Sequence, residues 1–488
     1  MKATRTIKVA IEGCCHGELN SIYSQLSKDT ELLIICGDFQ AIRNETDLQT
    51  MNVPAKFKRL GDFHEYYNGT RKATVPTIFI GGNHECSSYS EELKFGGWVA
   101  PNIYYLGDFG SIWFKGLQIG GISGIFNRHS FCRNYIEDET LPFNDSTIRS
   151  VYHVKPKTFL KMLTMNHNLD IGLSHDWPLD IEKHGNVHKL LKKKHFFKTD
   201  IRNGTLGSPL NKFLLQHLRP RYWFSSHLHV RFEANVKYRK NSKKVAVKSN
   251  NGVNSEIKLV KNHESIDLDM DSPPEIKKSD EIELDMDDME PVKKKTKVDW
   301  ESALFEDKSD PKLAPRRVTT DNDSTYFLAL DKCLPKRKFL EEIDIPVKPE
   351  NTSHCSVTDK STTFYYSRRA IAINKVVEEY LQAHMQEFKD MNMMNVVEDP
   401  RQLRIVNELL PMINLQLQQL NNMDDKTFAV PDNFEAVAPT SDATDVELQY
   451  WPNNQTEEYC RKFGIINSTP KMKSNNPAES KVGQESGK

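Results

Sequence analysis

Short apolar runs alternate with polar turns over roughly the first half of the chain. Five of these runs have the length and the Ile, Val, Leu and Phe content of buried strands. They read KVAIEG, LLIIC, TIFIG, LDIGLS and RYWFSS, and they begin at residues 8, 32, 77, 169 and 221. Later segments, over about 368–391 and 402–420, space their apolar residues as helices do. The pattern predicts an α/β fold in which two packed sheets are flanked by helices.

Each of the five runs ends in side chains that can bind a metal ion. In open α/β sheets the ligand site lies beyond the carboxyl ends of the strands, so these residues are expected to meet in one cleft. The candidate ligands are Cys14, His16, Asp38, Asn83, His175, His227 and His229. We assign Cys14, His16, Asp38 and His229 to one ion, and Asp38, Asn83, His175 and His227 to another. The sequence therefore predicts a two-metal hydrolase site in which Asp38 bridges the ions.

Residues beside these ligands are candidates for catalysis and support. His84 is left free for proton transfer and is the candidate general acid, although it could instead only orient a phosphate. Asp176 either holds a ligand histidine in its working tautomer or caps a helix ahead of Trp177. Glu85 is expected to orient its own loop, and Cys15 to be a buried structural thiol. Taken singly, a histidine or aspartate at a strand end is often an ordinary turn residue. The ordered set favours chemistry.

Composition narrows the class of protein. The formal net charge of −1 over 488 residues gives no global attraction to nucleic acid, so any such affinity must be local. No apolar run approaches the ~20 residues of a membrane span, and the N-terminus has no signal-peptide core. The 8 cysteines are scattered, which is typical of reduced thiols in the cytosol or nucleus. We expect no membrane partner, and the sequence sets no expectation for the oligomeric state.

The chain divides by composition into four segments. Residues 1–240 are the expected catalytic domain, and residues 241–320 an expected disordered linker that is rich in acids. The linker contains a basic cluster, Lys293–Lys297, which is either a nuclear import signal or a charge block that balances the acids. A smaller C-terminal domain over 321–465 and a disordered tail over 466–488 complete the prediction. We expect an import receptor as partner and a nuclear location, with cytoplasmic shuttling.

The motif set resembles a known superfamily. Asp-x-His, Gly-Asp, Gly-Asn-His-Glu, a single His and Gly-His-x-His are the blocks of the calcineurin-like metallophosphoesterases, but Cys14 and Ser226 stand where most members have Asp and Gly. The Gly-Cys-x-His block is similar to that of the RNA lariat debranching enzymes. The longer matches include GDFQAIRNETDL at 37–48, LRPRYWFSSHLHVRFEA at 218–234 and NNQTEEYC at 453–460.

This resemblance implies a fold, a reaction and its partners. The fold would be a four-layer α/β/β/α sandwich, and the reaction metal-dependent hydrolysis of the 2′–5′ phosphodiester at the branch point of excised intron lariat RNA. His84 would protonate the departing 2′ oxygen. The two divalent ions would be Fe²⁺, Zn²⁺ or Mn²⁺, because a Cys14 thiolate is a soft ligand. The rival functions are a general phosphodiesterase or phosphatase on the same scaffold, and an interaction module without metal.

The family also has a lariat-recognition loop, which corresponds here to residues 127–157. Cations interleaved with aromatic rings suit single-stranded RNA, although an ordinary solvated loop is the alternative. The candidate RNA contacts are Arg128, Arg133, Arg149, Tyr152, His153 and Lys157. A second basic cluster, Lys189–Lys198, could follow the RNA backbone.

Overall fold

The computed structural model describes residues 5–133, 140–166, 169–238, 322–389 and 400–469. The predicted linker over 241–320, its basic cluster Lys293–Lys297 and the tail from residue 470 onward lie outside the described residues. Within the described ranges, no helix is both long enough and apolar enough to span a membrane.

Strands and helices alternate along the N-terminal half of the chain. The strands are β1 Thr6–Glu12, β2 Leu32–Ile35, β3 Thr77–Phe79, β4 Gly97–Ala100, β5 Ile103–Tyr105, β6 Phe109–Phe114, β7 Leu117–Ile122, β8 Ile171–Ser174, β9 Tyr222–Ser225, β10 Phe232–Lys237, β11 Ser324–Ala329, β12 Leu340–Pro346 and β13 Tyr365–Tyr366. The helices up to residue 218 are α1 Leu19–Ser24, α2 Phe63–Tyr67, α3 Ser87–Glu92, α4 Arg128–Arg133, α5 Thr147–Ser150, α6 Pro156–Leu163, α7 Val187–Lys193, α8 Phe197–Asn203 and α9 Pro209–Leu218.

The C-terminal segment is mainly helical after its strands. Its helices are α10 Cys355–Thr358, α11 Arg368–Ala383, α12 Met385–Lys389, α13 Pro400–Asn421 and α14 Asn454–Phe463. Short 3₁₀ helices cover Glu45–Thr50, Ala55–Phe57, Ile181–His184, Pro349–Ser353 and Asp425–Phe428.

Two sheets form the centre of the molecule. The first has the strand order β12-β1-β2-β3-β5-β4, and the second has the order β10-β11-β9-β8-β7-β6-β13. In the first sheet β1, β2, β3 and β5 run parallel. In the second, β11, β9, β8 and β7 do so. The carboxyl ends of parallel strands share one edge of each sheet, which is where the sequence predicts the functional residues.

Alternation along the strands explains the layers. Val9 and Ile11 of β1 face the second sheet and pack in one core with Ile119 and Phe224. Ala10 points to the opposite face, where side chains of α1, α2 and α3 form another core. Helices α6 and α9 contact each other, and α6 also contacts β7 on the outer side of the second sheet. The predicted α/β fold of two packed sheets flanked by helices is confirmed.

The segment that follows residue 321 completes both sheets. Strand β12 pairs antiparallel with β1 along its whole length, from Thr6 opposite Pro346 to Glu12 opposite Leu340. Strand β11 lies between β9 and β10, and Ser324 is opposite Lys237. Residues 239–321 therefore connect two neighbouring antiparallel strands. The exact domain boundaries stay a prediction.

Candidate metal centre

The candidate ligands follow the strand ends at short distances along the chain. Cys14 comes two residues after β1, Asp38 three residues after β2, and His175 directly after β8. Four of the seven have a left-handed backbone, with φ of 48° at His16, 48° at Asp38, 60° at His227 and 47° at His229. Non-glycine residues seldom adopt this conformation, and such strain concentrates at functional sites.

The first group of ligands is tightly clustered. Ligand atoms of Cys14, His16, Asp38 and His229 all lie within 4.8 Å of one another. The Nε2 atom of His16 lies 3.3 Å from Nε2 of His229 and 3.6 Å from Oδ2 of Asp38. The backbone N–H of His227 donates to Sγ of Cys14 at 3.3 Å. These are the four residues that the sequence assigns to one ion.

The second group meets the other oxygen of the same carboxylate. The Nε2 atom of His175 lies 3.3 Å from Oδ1 of Asp38 and 3.3 Å from Oδ1 of Asn83. The ring of His227 lies with its centroid 5.1 Å from that of His175. Asp38 thus presents one oxygen to each group, which is the geometry of a bridging ligand.

The polar atoms of the centre fit divalent cations. Oδ2 of Asp38 is buried and has no hydrogen-bond partner among the described residues. Burial lowers the pKa of His16 to about 4 and that of His227 to about 3, so both imidazoles are neutral at neutral pH. Burial also raises the pKa of the Cys14 thiol, so its thiolate form requires a cation beside it. A buried carboxylate oxygen, neutral imidazole rings and a thiol that face one another are a set that a metal ion would satisfy.

Two glycines permit this close packing. A Cβ atom on Gly82 would lie 2.3 Å from Oδ1 of Asp38, and one on Gly37 would lie 2.2 Å from Nδ1 of His175. Gly37 also has a φ of 115°, which side chains rarely adopt. The Gly-Asp and Gly-Asn-His-Glu blocks therefore need their glycines for steric reasons.

His175 is oriented by a backbone group. Its Nδ1–H donates to the carbonyl oxygen of Cys36 at 2.8 Å, so its Nε2 lone pair faces Asp38 and Asn83. The hydroxyl of Ser226 donates to the same carbonyl at 2.7 Å and lies 3.0 Å from Nδ1 of His175. Burial is the main cause that raises the pKa of the Cys14 thiol, and the Ser226 hydroxyl acts against that rise. The two positions that depart from the superfamily pattern therefore influence each other.

The structure differs from both roles predicted for Asp176. Its carboxylate accepts from the backbone N–H of Phe126 at 3.0 Å and from the side-chain amide of Asn211. The tautomer of His175 is set by Cys36 instead, and no described helix begins at Trp177. Asp176 ties Phe126, the residue that precedes the 127–157 loop, to Asn211 of α9. A carbonyl acceptor leaves no side-chain pattern in a sequence, which is why the carboxylate was the expected partner.

Glu85 connects two of the ligand loops. Its Oε1 atom accepts from the backbone N–H groups of Phe39 and Gly82, and its Oε2 atom accepts from that of Gln40, each at 2.8 Å. This exceeds the predicted role, because Glu85 orients the Gly-Asp loop as well as its own.

His84 lies at the edge of the ligand set and is half-buried. Its Nδ1–H donates to the carbonyl oxygen of Asn52 at 3.2 Å, and its Nε2 atom accepts from Nδ2 of Asn83 at 3.2 Å. Asn52 in turn donates from Nδ2 to the hydroxyl of Tyr152 at 2.7 Å. No sequence pattern indicates Asn52, which connects His84 to the 127–157 loop.

The predicted RNA contacts divide into exposed and enclosed residues. Arg128 and Arg149 are exposed, whereas Tyr152 and His153 are buried. His153 Nδ1 lies 2.8 Å from the hydroxyl of Ser130, and burial lowers its pKa to about 3. Lys157 forms an ion pair with Glu378 at 3.2 Å. The side chain of Arg133 lies outside the described residues.

Tyr152 and His153 are buried rather than exposed, and their contact with RNA stays a prediction. Alternation of cations and aromatic rings along a loop does not reveal which side chains point inward. In the second cluster, Phe196 is 42% exposed, and Lys189, Lys192 and Lys193 lie on α7. Their contact with RNA stays a prediction.

The fold and the site define a class of protein. Residues 7–231 match the family model for calcineurin-like phosphoesterases, whose members use divalent metal ions, and residues 322–468 match the model for the C-terminal domain of lariat debranching enzymes.

Relatives over most of the chain identify the family. The chain is similar to the lariat debranching enzyme of Gallus gallus, with 34% identity over 94% of this chain and 70% of the relative. It is 37% identical to the lariat debranching enzyme of Saccharomyces cerevisiae, over 86% of this chain and 98% of the relative. It is 50% identical to that of Mus musculus, over 50% of this chain and 45% of the relative. The chain belongs to the family of lariat debranching enzymes, and it is a metal-dependent phosphodiesterase.

Proposed function

We propose that this protein hydrolyses the 2′–5′ phosphodiester at the branch point of excised intron lariat RNA, which leaves linear RNA for decay. The observation that carries the proposal is the pair of ligand groups around Asp38, with His84 beside them. A centre of this kind cleaves a phosphodiester without a side-chain nucleophile. The relatives named lariat debranching enzyme support the choice of a branched RNA as substrate.

The residues of the centre have separate tasks in this reaction. Cys14, His16, Asp38 and His229 would hold one divalent ion, and Asp38, Asn83, His175 and His227 would hold the other. Such ions, when bound, neutralise the phosphate charge and activate a water molecule for in-line attack. Glu85 and the Cys36 carbonyl keep the loops and the His175 ring in position.

His84 is the general acid in this proposal. The carbonyl of Asn52 binds Nδ1–H, so Nε2 is the atom that faces the substrate side. A protonated Nε2 gives up its contact with Nδ2 of Asn83 and donates its proton to the 2′ oxygen as the branch bond breaks. The bond from Nδ1–H to the Asn52 carbonyl holds the imidazole in place during this step.

The ions would be Fe²⁺, Zn²⁺ or Mn²⁺. Three of the first group of ligands are nitrogen or sulfur donors, and thiolates disfavour Mg²⁺. Among the predicted RNA contacts, Arg128 and Arg149 remain candidates to bind phosphates, because their side chains are exposed.

The direct test is cleavage of a synthetic branched RNA beside a linear 3′–5′ RNA of the same sequence. Each would be incubated with the protein and added Fe²⁺, Zn²⁺ or Mn²⁺, and with the His84→Ala variant. We expect selective cleavage of the 2′–5′ branch, and a loss of about 10²–10⁴-fold in the variant. Cleavage of both RNAs would favour the general phosphodiesterase, and no cleavage with any metal would favour a different phosphoester or the non-catalytic module.

Nuclear location is a separate proposal that rests on the basic cluster Lys293–Lys297. A fluorescent fusion of the full chain should concentrate in nuclei and lose this preference when the four lysines of the cluster are changed to alanine. An unchanged distribution would assign the cluster to charge balance.

A further inference from the structure

A lysine of the C-terminal segment lies at the same sheet edge as the candidate metal ligands. Strand β11 ends at Ala329 and runs parallel to β9. Lys332 therefore follows its strand by three residues, much as His227 follows β9 by two. By this topology Lys332 enters the cleft from a part of the chain that contributes no candidate metal ligand.

The backbone around Lys332 is attached directly to the Cys14 loop. Cys14 and Lys332 form a parallel β-bridge. The N–H of Cys333 donates to the carbonyl of Cys14 at 3.0 Å, and the N–H of Cys14 donates to that of Asp331 at 3.4 Å. A Cβ atom on Gly13 would lie 2.1 Å from the Asp331 carbonyl oxygen, so the contact requires glycine there. The position of Lys332 is thus fixed relative to the first group of ligands.

The side chain of Lys332 is nearly enclosed but lacks a partner. Only 6% of the residue is exposed. Among the described residues its ammonium group has no hydrogen bond and no ion pair, in contrast to Lys157 and Lys161, which share Glu378.

More positive charge lies beside this lysine. Burial, followed by the charges of Arg337 and Lys194, lowers the pKa of Lys332. The negative charge next to Lys332 is the carboxylate of Asp331, which lies 3.5 Å from Arg337. An enclosed cation costs free energy unless an anion pairs with it. Two divalent ions in the same cleft would increase that cost, and an anionic ligand bound beside Lys332 would offset it.

We propose that Lys332, with Arg337 beside the adjoining Asp331, forms a phosphate subsite beside the metal centre, which binds a backbone phosphate of the RNA strand that enters the cleft. The inference rests on the proposed function for the identity of the ligand. It gives the C-terminal segment a direct part in substrate binding, in addition to completing the two sheets. Lys332 acts as a positioning residue: it holds the strand while His84 and the metal ligands act on the branch bond.

Salt dependence of RNA binding distinguishes a phosphate contact from structural support. Each phosphate contact to single-stranded RNA contributes about 0.7 to the slope of log Kd against log salt. The measurement is equilibrium binding of branched RNA to chelator-treated full-length protein over a series of KCl concentrations. Metal content of untreated protein is measured in parallel. Binding to metal-free protein is independent of any effect on metal occupancy.

Three variants carry the comparison. Lys332→Met should weaken binding about five- to tenfold at low salt and reduce the slope by about 0.7, with metal content unchanged. Lys332→Arg should keep the wild-type slope, because it keeps the charge. Lys72→Met is the matched control, since Lys72 is exposed and precedes the amino end of β3, and it should behave as wild type.

The outcomes separate this inference from the proposed function. An unchanged slope in Lys332→Met overturns the phosphate subsite, and reduced metal content with that unchanged slope assigns Lys332 to support of Cys14 instead. If the wild-type protein cleaves branched RNA and the slope is unchanged, only the subsite fails. If it does not cleave and Lys332→Met still reduces the slope, the subsite stands for RNA and the debranching proposal fails.

Discussion

The metal centre and the 127–157 loop contrast in how their side chains are placed. In the centre, each candidate ligand follows a strand end, and backbone groups such as the Cys36 carbonyl fix its direction. In the loop, residues close in sequence differ in exposure. Arg149 is exposed, whereas Tyr152 is buried and accepts a hydrogen bond from Asn52. Sheet topology thus determines where a strand-end residue points, whereas packing decides it for a loop residue.

The contrast also concerns function. The centre keeps an unsatisfied carboxylate oxygen on Asp38 and donor atoms that face each other. In the loop, two of the six predicted RNA contacts are bonded within the protein, His153 to Ser130 and Lys157 to Glu378. The first region is organised for a ligand. The loop chiefly supports the structure, through the hydrogen bond between Tyr152 and Asn52. Of its predicted RNA contacts, Arg128 and Arg149 are exposed.

The largest effect is expected from Asp38→Asn, which tests the bridging geometry. Asparagine has only one oxygen, so its amide NH₂ would face one of the two ligand groups. We expect the single-turnover rate to fall on the order of a thousandfold and metal content to drop. Asp180→Asn is the control, because the partly buried Asp180 pairs with Lys183 and Lys212 and contacts no candidate metal ligand among the described residues. Full metal content and a near-normal rate in Asp38→Asn would show that Asp38 does not act as a bridging ligand.

Glu378→Gln tests whether Lys157 belongs to the structure or to RNA binding. Lys161 lies 2.7 Å from Glu378 and is buried, so the variant leaves an uncompensated cation. We expect the free energy of unfolding to fall by about 3 kcal/mol in denaturant titrations, with RNA affinity unchanged. A loss of RNA affinity without destabilisation would return Lys157 to the RNA contacts.

The same variant has a defined pH dependence. Burial raises the pKa of the Glu378 carboxyl, but the charges of Lys161 and Lys157 outweigh burial and lower this pKa to about 2 from an ordinary 4.5. A carboxylate whose pKa is lower in the folded than in the unfolded protein stabilises the fold at pH values above its unfolded pKa. The advantage of wild type over Glu378→Gln should therefore be full above pH 4.5 and disappear as the pH falls toward 2.

Tyr152→Phe should have a smaller effect, on the rate alone. The change leaves Nδ2 of Asn52 without its acceptor and loosens the residue that holds His84. We expect kcat to fall about threefold to tenfold, with KM unchanged, as the loss of about one hydrogen bond implies. Tyr67→Phe is the matched control, since its hydroxyl bonds the backbone of Ala438. Equal effects of both changes would indicate general destabilisation.

Arg149→Ala should give the smallest effect. Its side chain is exposed, and a single phosphate contact contributes little sequence-independent affinity. We expect about a twofold to fivefold rise in Kd for branched RNA, and a smaller salt slope. No change in Kd would reduce the role of the loop to orienting His84 through Tyr152.

Much of the fold was open to prediction because alternation and strand ends follow simple geometry. The seven candidate ligands could be predicted for this reason, because they follow strand ends. Lys332 was not, because its strand, β11, comes after a long polar segment and its neighbour in the sheet lies about 100 residues earlier. The Asn52 and Cys36 carbonyls carry no side-chain pattern either. Tyr152 and His153 had a suitable chemistry, but only packing shows that they point inward.

The position of β11 between β9 and β10 has a consequence for biosynthesis. A ribosome needs on the order of 5–20 seconds to add the roughly 100 residues that separate Ser225 from Ser324. Throughout that interval the nascent chain has made β9 but not its neighbour, so an open strand edge is available to any other chain nearby. This edge therefore stays unpaired until about the last third of the chain is translated, and a chaperone that shields it would act before then.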